Sequence, residues 1–204
     1  MAAVGIVDYQ AGNIRSIVNA FEHQGARVVH VKAAADLDGL THLVLPGVGA
    51  FGHCAAMLRE SGLVPAAADW ALAQRRPTLG ICVGMQLLAD SSDEMGLHEG
   101  LGWIGGEVRR LQSSGPQVRI PHVGWNTARF TRAFGSFRAG EGADFYFDHS
   151  FAYRQPRLGE PLATCHHGED FCAAVAHGNI VAAQFHPEKS QAAGARFLRA
   201  FLEM

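Results

Sequence analysis

Thr78-Leu79-Gly80-Ile81-Cys82-Val83-Gly84-Met85-Gln86 decides how this chain is read. An apolar run from Pro77 to Ile81 ends in a cysteine with a glycine two residues away on each side, and a helix-like run, Met85 to Ala89, follows. Glycines at both positions permit a tight turn from strand into helix, which lifts the side chain between them out of a sheet. At that point the helix dipole and free N–H groups favour a thiolate. A buried structural cysteine between two packing glycines is the competing reading of these residues taken alone.

The second decisive stretch is Gln184-Phe185-His186-Pro187-Glu188-Lys189-Ser190, after the apolar strand Ile180 to Ala183. His186 is a natural base for a cysteine nucleophile. Glu188 is near enough in sequence to fix the imidazole through its other ring nitrogen. A solvated strand end could carry the same residues. The elbow and the His-Pro-Glu run together point to nucleophilic catalysis.

Working outward, Val4 to Val7 is predicted as a buried strand. Asn13 is placed to cap a helix with Ile14, Ile17, Val18 and Phe21 on one face, stopped by Gly25. Arg27 to Val31 and Leu43 to Leu45 read as further strands, and Pro46 to Gly52 as a glycine-rich loop. Pro65 suits the first turn of a helix running towards Gln74. Strands alternating with helices imply a parallel sheet covered on both faces. From Leu101 to Ile180 the pattern changes to mostly short strands and turns, with Leu111 to Gln117 a surface loop. Gly178-Asn179 reads as a hairpin turn between Phe171 to Ala176 and Ile180 to Phe185. Gln191 to Glu203 closes the chain as a helix with Phe197, Leu198, Phe201 and Leu202 on one side.

Composition narrows the function classes. A chain of 204 residues with 48% hydrophobic content suits one α/β domain, here residues 1–204, with a large core. A net charge of −2 and no basic cluster give no electrostatic case for nucleic acid or an anionic membrane. No signal peptide is evident, and no apolar stretch reaches the roughly 18 residues of a membrane span, so a cytoplasmic protein is expected. The cysteines at 54, 82, 165 and 172 form no C-x-x-C pair, which fits a reduced protein with one working thiol. The 11 histidines lack metal-ligand spacing, so neither a metal nor another cofactor is expected.

G-x-C-x-G-x-Q at Gly80 to Gln86 with a late His-Pro-Glu resembles the class I glutamine amidotransferases. Four other blocks narrow the resemblance: Val7-Asp8-Tyr9-Gln10-Ala11-Gly12-Asn13, Leu45-Pro46-Gly47-Val48-Gly49, Pro121-His122-Val123-Gly124-Trp125-Asn126 and Tyr146-Phe147-Asp148-His149-Ser150-Phe151. They are similar to the branch of glutaminase subunits that serves histidine biosynthesis, over essentially the whole chain. The resemblance implies a flavodoxin-like fold, with a central mostly parallel sheet, helices on both faces and added antiparallel strands in the second half. It implies hydrolysis of L-glutamine to glutamate and ammonia, with Cys82 as nucleophile, His186 as base and Glu188 orienting it.

Such a reaction passes through an oxyanion that needs preorganised donors. The N–H of Val83 is one candidate. The loop of Gly47, Val48 and Gly49, which the resemblance sets beside the elbow, is the other. Gln86, one helical turn after Cys82, is expected to contact the substrate. Related enzymes use the backbone of the segment Asp148, His149, Ser150 and Phe151 to hold the amino-acid end of glutamine. The resemblance also implies a separate (β/α)₈-barrel cyclase that receives ammonia through a protected tunnel, with Trp125 and Lys189 as candidate docking residues. Core packing is the alternative for Trp125, and a satisfied core histidine the alternative for His149.

Two positions depart from the family pattern. Gln10 stands where glycine is usual, which strains the backbone if that position needs a positive φ. Asp148 stands where an apolar residue is common and could receive the substrate ammonium. Two other functions stay open at this point. A paralogous glutaminase could feed a different synthase, such as one that aminates a sugar. A non-catalytic binding module could use the same scaffold, although it would need none of Cys82, Gln86, His186 and Glu188.

Overall fold

The computed structural model describes residues 1–154, 157 and 160–204. Four short strands open the chain: β1 (Ala3–Val7), β2 (Arg27–Val31), β3 (His42–Leu45) and β4 (Thr78–Ile81). Two-residue strands β5 (Ser91–Ser92) and β6 (His98–Glu99) follow, then β7 (Glu107–Arg110), β8 (His122–Phe130) and β9 (Gly142–His149). The last four are β10 (Phe151–Tyr153), β11 (Pro161–His166), β12 (Asp170–His177) and β13 (Ile180–Ala183). The helices are α1 (Ile14–Glu22), α2 (Phe51–Glu60), α3 (Val64–Ala68), the one-turn α4 (Val83–Gln86) and α5 (Gln191–Leu202).

Nine strands form one sheet in the order β2-β1-β3-β4-β13-β12-β11-β8-β9. The run from β2 to β13 is parallel and the remainder antiparallel. Every residue of β1, β3, β4 and β13 is buried, so helices and loops cover both faces there, as expected for parallel strands. α1 and α5 share a layer, joined by an edge-to-face contact between Phe21 and Phe201. The far edge of the sheet curls back: Phe145 of β9 stacks on Phe185 just past β13, with ring centroids 3.9 Å apart. A second, four-stranded sheet has the order β10-β7-β5-β6. Among the described residues, no helix is long and apolar enough to cross a membrane.

The structure corrects several local expectations. The glycine-rich loop ends at Ala50, because α2 starts at Phe51. That helix was missed, although Phe51, Cys54, Ala55 and Leu58 are buried at helical spacing. Its cap is also nonlocal: the first N–H, at Phe51, donates to Glu94 Oε2 at 2.6 Å. Asn13 makes no side-chain capping bond to α1. The helix with Pro65 in its first turn passes into a π-helical turn over Asp69–Ala73. The run Met85 to Ala89 is not a helix of its own, since α4 ends at Gln86. The second half is less dominated by short strands than expected, because β8, β9 and β12 have 9, 8 and 8 residues. The turn at Gly178-Asn179 is as expected, with His177 paired to Ile180, but β13 stops at Ala183 and leaves residues 184–186 as a loop.

The glycines of the elbow are packing residues as well as turn formers. A Cβ on Gly84 would lie 1.9 Å from Leu45 O, and one on Gly80 would lie 2.9 Å from Gly84 O. The turn after β4 is thus pressed against the end of β3. Gly84→Ala is expected to destabilise the chain by about 3–5 kcal/mol, since backbone and not a flexible side chain must yield. A urea-unfolding midpoint near the wild-type value would contradict this close approach.

Candidate active site

The register of adjacent parallel strands assembles the site. Ala183 of β13 pairs with Ile81 of β4, and Leu45 of β3 pairs with Gly80 of β4. The residues just past these carboxyl ends, Pro46 to Gly49, Cys82 and Gln184 to His186, therefore meet at one edge, the usual ligand position in such sheets. A cavity of about 440 Å³ opens there, lined by Val48, Gly49, Cys82, Val83, Gln86 and His186 from this edge. Asp148, His149, Ser150 and Phe151 line its opposite wall.

Cys82 sits at the apex of the elbow with φ 54° and ψ −114° and is 3% exposed. A non-glycine residue held there stores on the order of 1–3 kcal/mol of strain, which the surrounding packing must offset. The Cys82 N–H donates to Ala183 O at 2.8 Å and ties the elbow to β13. His186 is anchored twice: its N–H donates to Tyr146 O at 2.9 Å, and its carbonyl accepts from Ser190 Oγ at 2.6 Å. Its Nδ1 lies 2.8 Å from Glu188 Oε1, and the two side chains are only 4% and 2% exposed. A carboxylate can only accept, so Nδ1 carries the proton of this bond. Burial disfavours the imidazolium, but the Cys82 sulfur and the Glu188 carboxylate outweigh it and raise the His186 pKa. A cationic imidazole beside a thiol favours the thiolate. Burial pushes the Cys165 and Cys172 thiols up to about 12 and raises Cys54 as well, which leaves those three thiols protonated and unreactive.

The two expected oxyanion donors stand in an unexpected relation. The Val83 N–H donates to Gly47 O at 3.3 Å, so the Gly47–Val48 peptide turns its carbonyl, not its N–H, towards the elbow. The carbonyls on either side of that one are held by buried side chains: Tyr9 Oη donates to Pro46 O at 2.6 Å and Cys54 Sγ to Val48 O at 3.3 Å. Gly49 sits at φ 96°, a conformation that favours glycine.

Gln86 faces the cavity from the same helical turn as Cys82, as the spacing predicted. Asp148 is solvent-exposed at the cavity wall. His149 is the satisfied core histidine of the alternative reading. Its Nδ1 donates to Phe151 O at 2.8 Å, and its Nε2 accepts from His122 Nδ1 at 3.0 Å. Burial holds His149 near a pKa of about 4, so it is neutral. Trp125 is 50% exposed, which excludes core packing. It meets Tyr146 edge to face, and Lys189 Nζ lies 5.3 Å from the same ring, so the two candidate docking residues share one patch, of which Lys189 lines the cavity. Gln10 does adopt a positive φ, 67°, where the family pattern has glycine.

Comparison with known proteins settles the family. A sequence model of the family described as Glutamine amidotransferase class-I matches residues 5–204. The chain belongs to the class I glutamine amidotransferases. Among its relatives, the imidazole glycerol phosphate synthase subunit HisH of Rhodospirillum rubrum is 43% identical, over 98% of this chain and 97% of that protein. The subunit of the same name from Zymomonas mobilis is 44% identical, over 99% and 96%. The fold is similar to that of a crystal structure described as glutamine amidotransferase, with a TM-score of 0.76 at 23% identity, covering 98% of this chain and 97% of that one. It is also similar to a chain in the structure of PurLQS from Thermotoga maritima, with a TM-score of 0.74 at 21% identity, covering 99% and 98%.

This amidotransferase also brings residues to the cavity that sequence reasoning passed over: Asn13, Glu94 and Pro121. Asn13 was legible in the opening block but was assigned to a helix cap. Glu94 lies in a segment with no periodic signal and reaches the site through its bond to the start of α2. Gln184 was quoted beside His186 without a role, since nothing local shows which way a residue just past a strand end will point.

Proposed function

We propose that this amidotransferase is the glutaminase subunit of an imidazole glycerol phosphate synthase, with residues 1–204 acting as one domain. Cys82 attacks the side-chain carbonyl of L-glutamine. His186 protonates the departing ammonia, and water then releases glutamate from the γ-glutamyl thioester. Glu188 orients His186 and stabilises its cation. The ammonia passes to a (β/α)₈-barrel cyclase partner, which forms imidazole glycerol phosphate and AICAR for histidine biosynthesis. The convergence of Cys82, His186 and Glu188 at the ends of β4 and β13 carries this reading, and the similarity to subunits of that synthase supports the partner.

The substrate has matching places along the cavity. Gln86 meets the carboxamide, and the segment from Asp148 to Phe151 holds the amino-acid end, with the exposed Asp148 carboxylate available to the substrate ammonium. The N–H groups of Val83 and of the Gly47 to Gly49 loop serve the oxyanion once the loop peptide has turned. Trp125 and Lys189 lie on the docking face. Glutamate formation, followed for the chain mixed with a candidate cyclase and its nucleotide substrate, tests the assignment. A complex that makes imidazole glycerol phosphate from ammonium salts but never from glutamine would refute it.

His186→Asn is expected to cut turnover by a factor on the order of 10⁶, as in other triads where nucleophile and base act as a unit. Glu188→Gln keeps a hydrogen-bonding group 2.8 Å from Nδ1, so its loss should be tens of times smaller. Trapping of Cys82 by a glutamine-like electrophile measures both variants, and equal labelling in each and in the wild type would remove the triad argument.

A further inference from the structure

Behind the thiol lies a chain of buried carboxamides whose orientation one backbone carbonyl determines. Gln86 Nε2 is 2.9 Å from Phe151 O and 2.9 Å from Gln184 Oε1. A carbonyl cannot donate, so the Gln86 atom facing Phe151 is nitrogen, and the Gln184 atom that accepts from it is oxygen. The remaining end of Gln184 is then its N–H group, and it lies 3.8 Å from Cys82 Sγ. Gln184 is fully buried and Gln86 is 2% exposed, so neither amide has room to turn over without stranding a polar group. With Nε2 of Gln86 doubly engaged, its Oε1 is the carboxamide atom left for a ligand, on a residue that lines the cavity.

We propose that Gln184 is a positioning residue for the glutaminase reaction, aiming one N–H at the Cys82 sulfur and turning the Gln86 carbonyl oxygen into the pocket. This rests on the glutaminase reading. On that reading the two effects serve different steps. The N–H···S contact stabilises negative charge on the attacking sulfur without competing for the carbon it attacks. The presented Oε1 accepts from the –NH₂ of a substrate carboxamide, a donor that glutamate lacks, so Gln184 indirectly contributes to discrimination between substrate and product.

The test uses the full chain with Gln184→Met, which keeps the volume and removes both polar atoms, and Gln184→Glu, which sets a carboxyl group against the sulfur. Alkylation of Cys82 by iodoacetamide at neutral pH should slow about tenfold in both variants, the scale of one hydrogen bond to a charged group. In the presence of the partner, KM for glutamine should also rise about tenfold. Mere loosening of the fold would act in the opposite direction, speeding alkylation of Cys82 and exposing the buried Cys54, Cys165 and Cys172. The wild-type chain provides a measurement that needs no variant: the side-chain amide protons of Gln184 should shift in the NMR spectrum when Cys82 is alkylated. Alkylation and KM within twofold of wild type in folded Gln184→Met, or an unmoved Gln184 amide signal, would overturn the proposal. Failure of the wild-type complex to hydrolyse glutamine would instead overturn the glutaminase reading.

Discussion

Cys82→Ala is expected to abolish glutamine-dependent synthesis by the assembled complex, by a factor on the order of 10⁶, while ammonium salts restore synthesis in full. The elbow holds Cys82 at a strained backbone position, beside His186 and at the floor of the cavity, and the other three cysteines are buried with thiols held protonated. Among the described residues, none of the other thiols is poised to replace it. The substitution removes one sulfur atom and leaves the backbone bond from Cys82 to Ala183 in place, so folding and partner binding should persist. Rescue by ammonium separates loss of ammonia supply from loss of the complex. Retention of near wild-type glutamine hydrolysis by Cys82→Ala would show that the nucleophile lies elsewhere.

The isolated chain is expected to be a poor glutaminase that partner and nucleotide activate by roughly 10² to 10³, the effect of one oxyanion donor. The structure gives this expectation a specific form. The Gly47 carbonyl occupies the Val83 N–H, so one donor is engaged and the Val48 N–H of the same peptide points away from the elbow. A half-turn of the Gly47–Val48 peptide would release the first and supply the second. Tyr9 and Cys54 pin the neighbouring carbonyls, which confines the change to a single peptide. On the proposed docking through Trp125 and Lys189, the partner would meet a cavity that Lys189 lines together with Val48 and Gly49 of this loop. Such gating fits the chemistry, since ammonia released without an acceptor is lost as ammonium. Steady-state hydrolysis at saturating glutamine, alone and with partner and nucleotide, measures the effect. High turnover by the isolated chain, unchanged by either addition, would mean that the loop is already in its active form.

The parallel half of the fold was legible because its signals are local: apolar runs, a glycine on each side of Cys82, and Gly178-Asn179 in a hairpin. The convergence of Cys82, His186 and Glu188 was legible for the same reason, since each lies in a short motif at a strand end. The remainder depends on contacts distant in sequence. α2 was obscured by the glycine-rich loop before it and by a cap, Glu94, that lies 43 residues away. Asn13 carries the residue type of a helix cap, yet it lines the cavity. The polar chain through Gln184 and Gln86 exists only because β4 and β13 are neighbours, which no spacing along the chain reveals. Gln10 is the instructive departure: sequence comparison marked the position, and only the backbone shows that it carries a positive φ.

The most direct measurement is to quench the complex during glutamine turnover and locate the γ-glutamyl group by peptide mass spectrometry. The expected result is a thioester on Cys82 that is absent from Cys82→Ala and accumulates only when partner and nucleotide are present. An active complex with no acyl group on Cys82, or with that group on Cys54, would contradict covalent catalysis at the elbow.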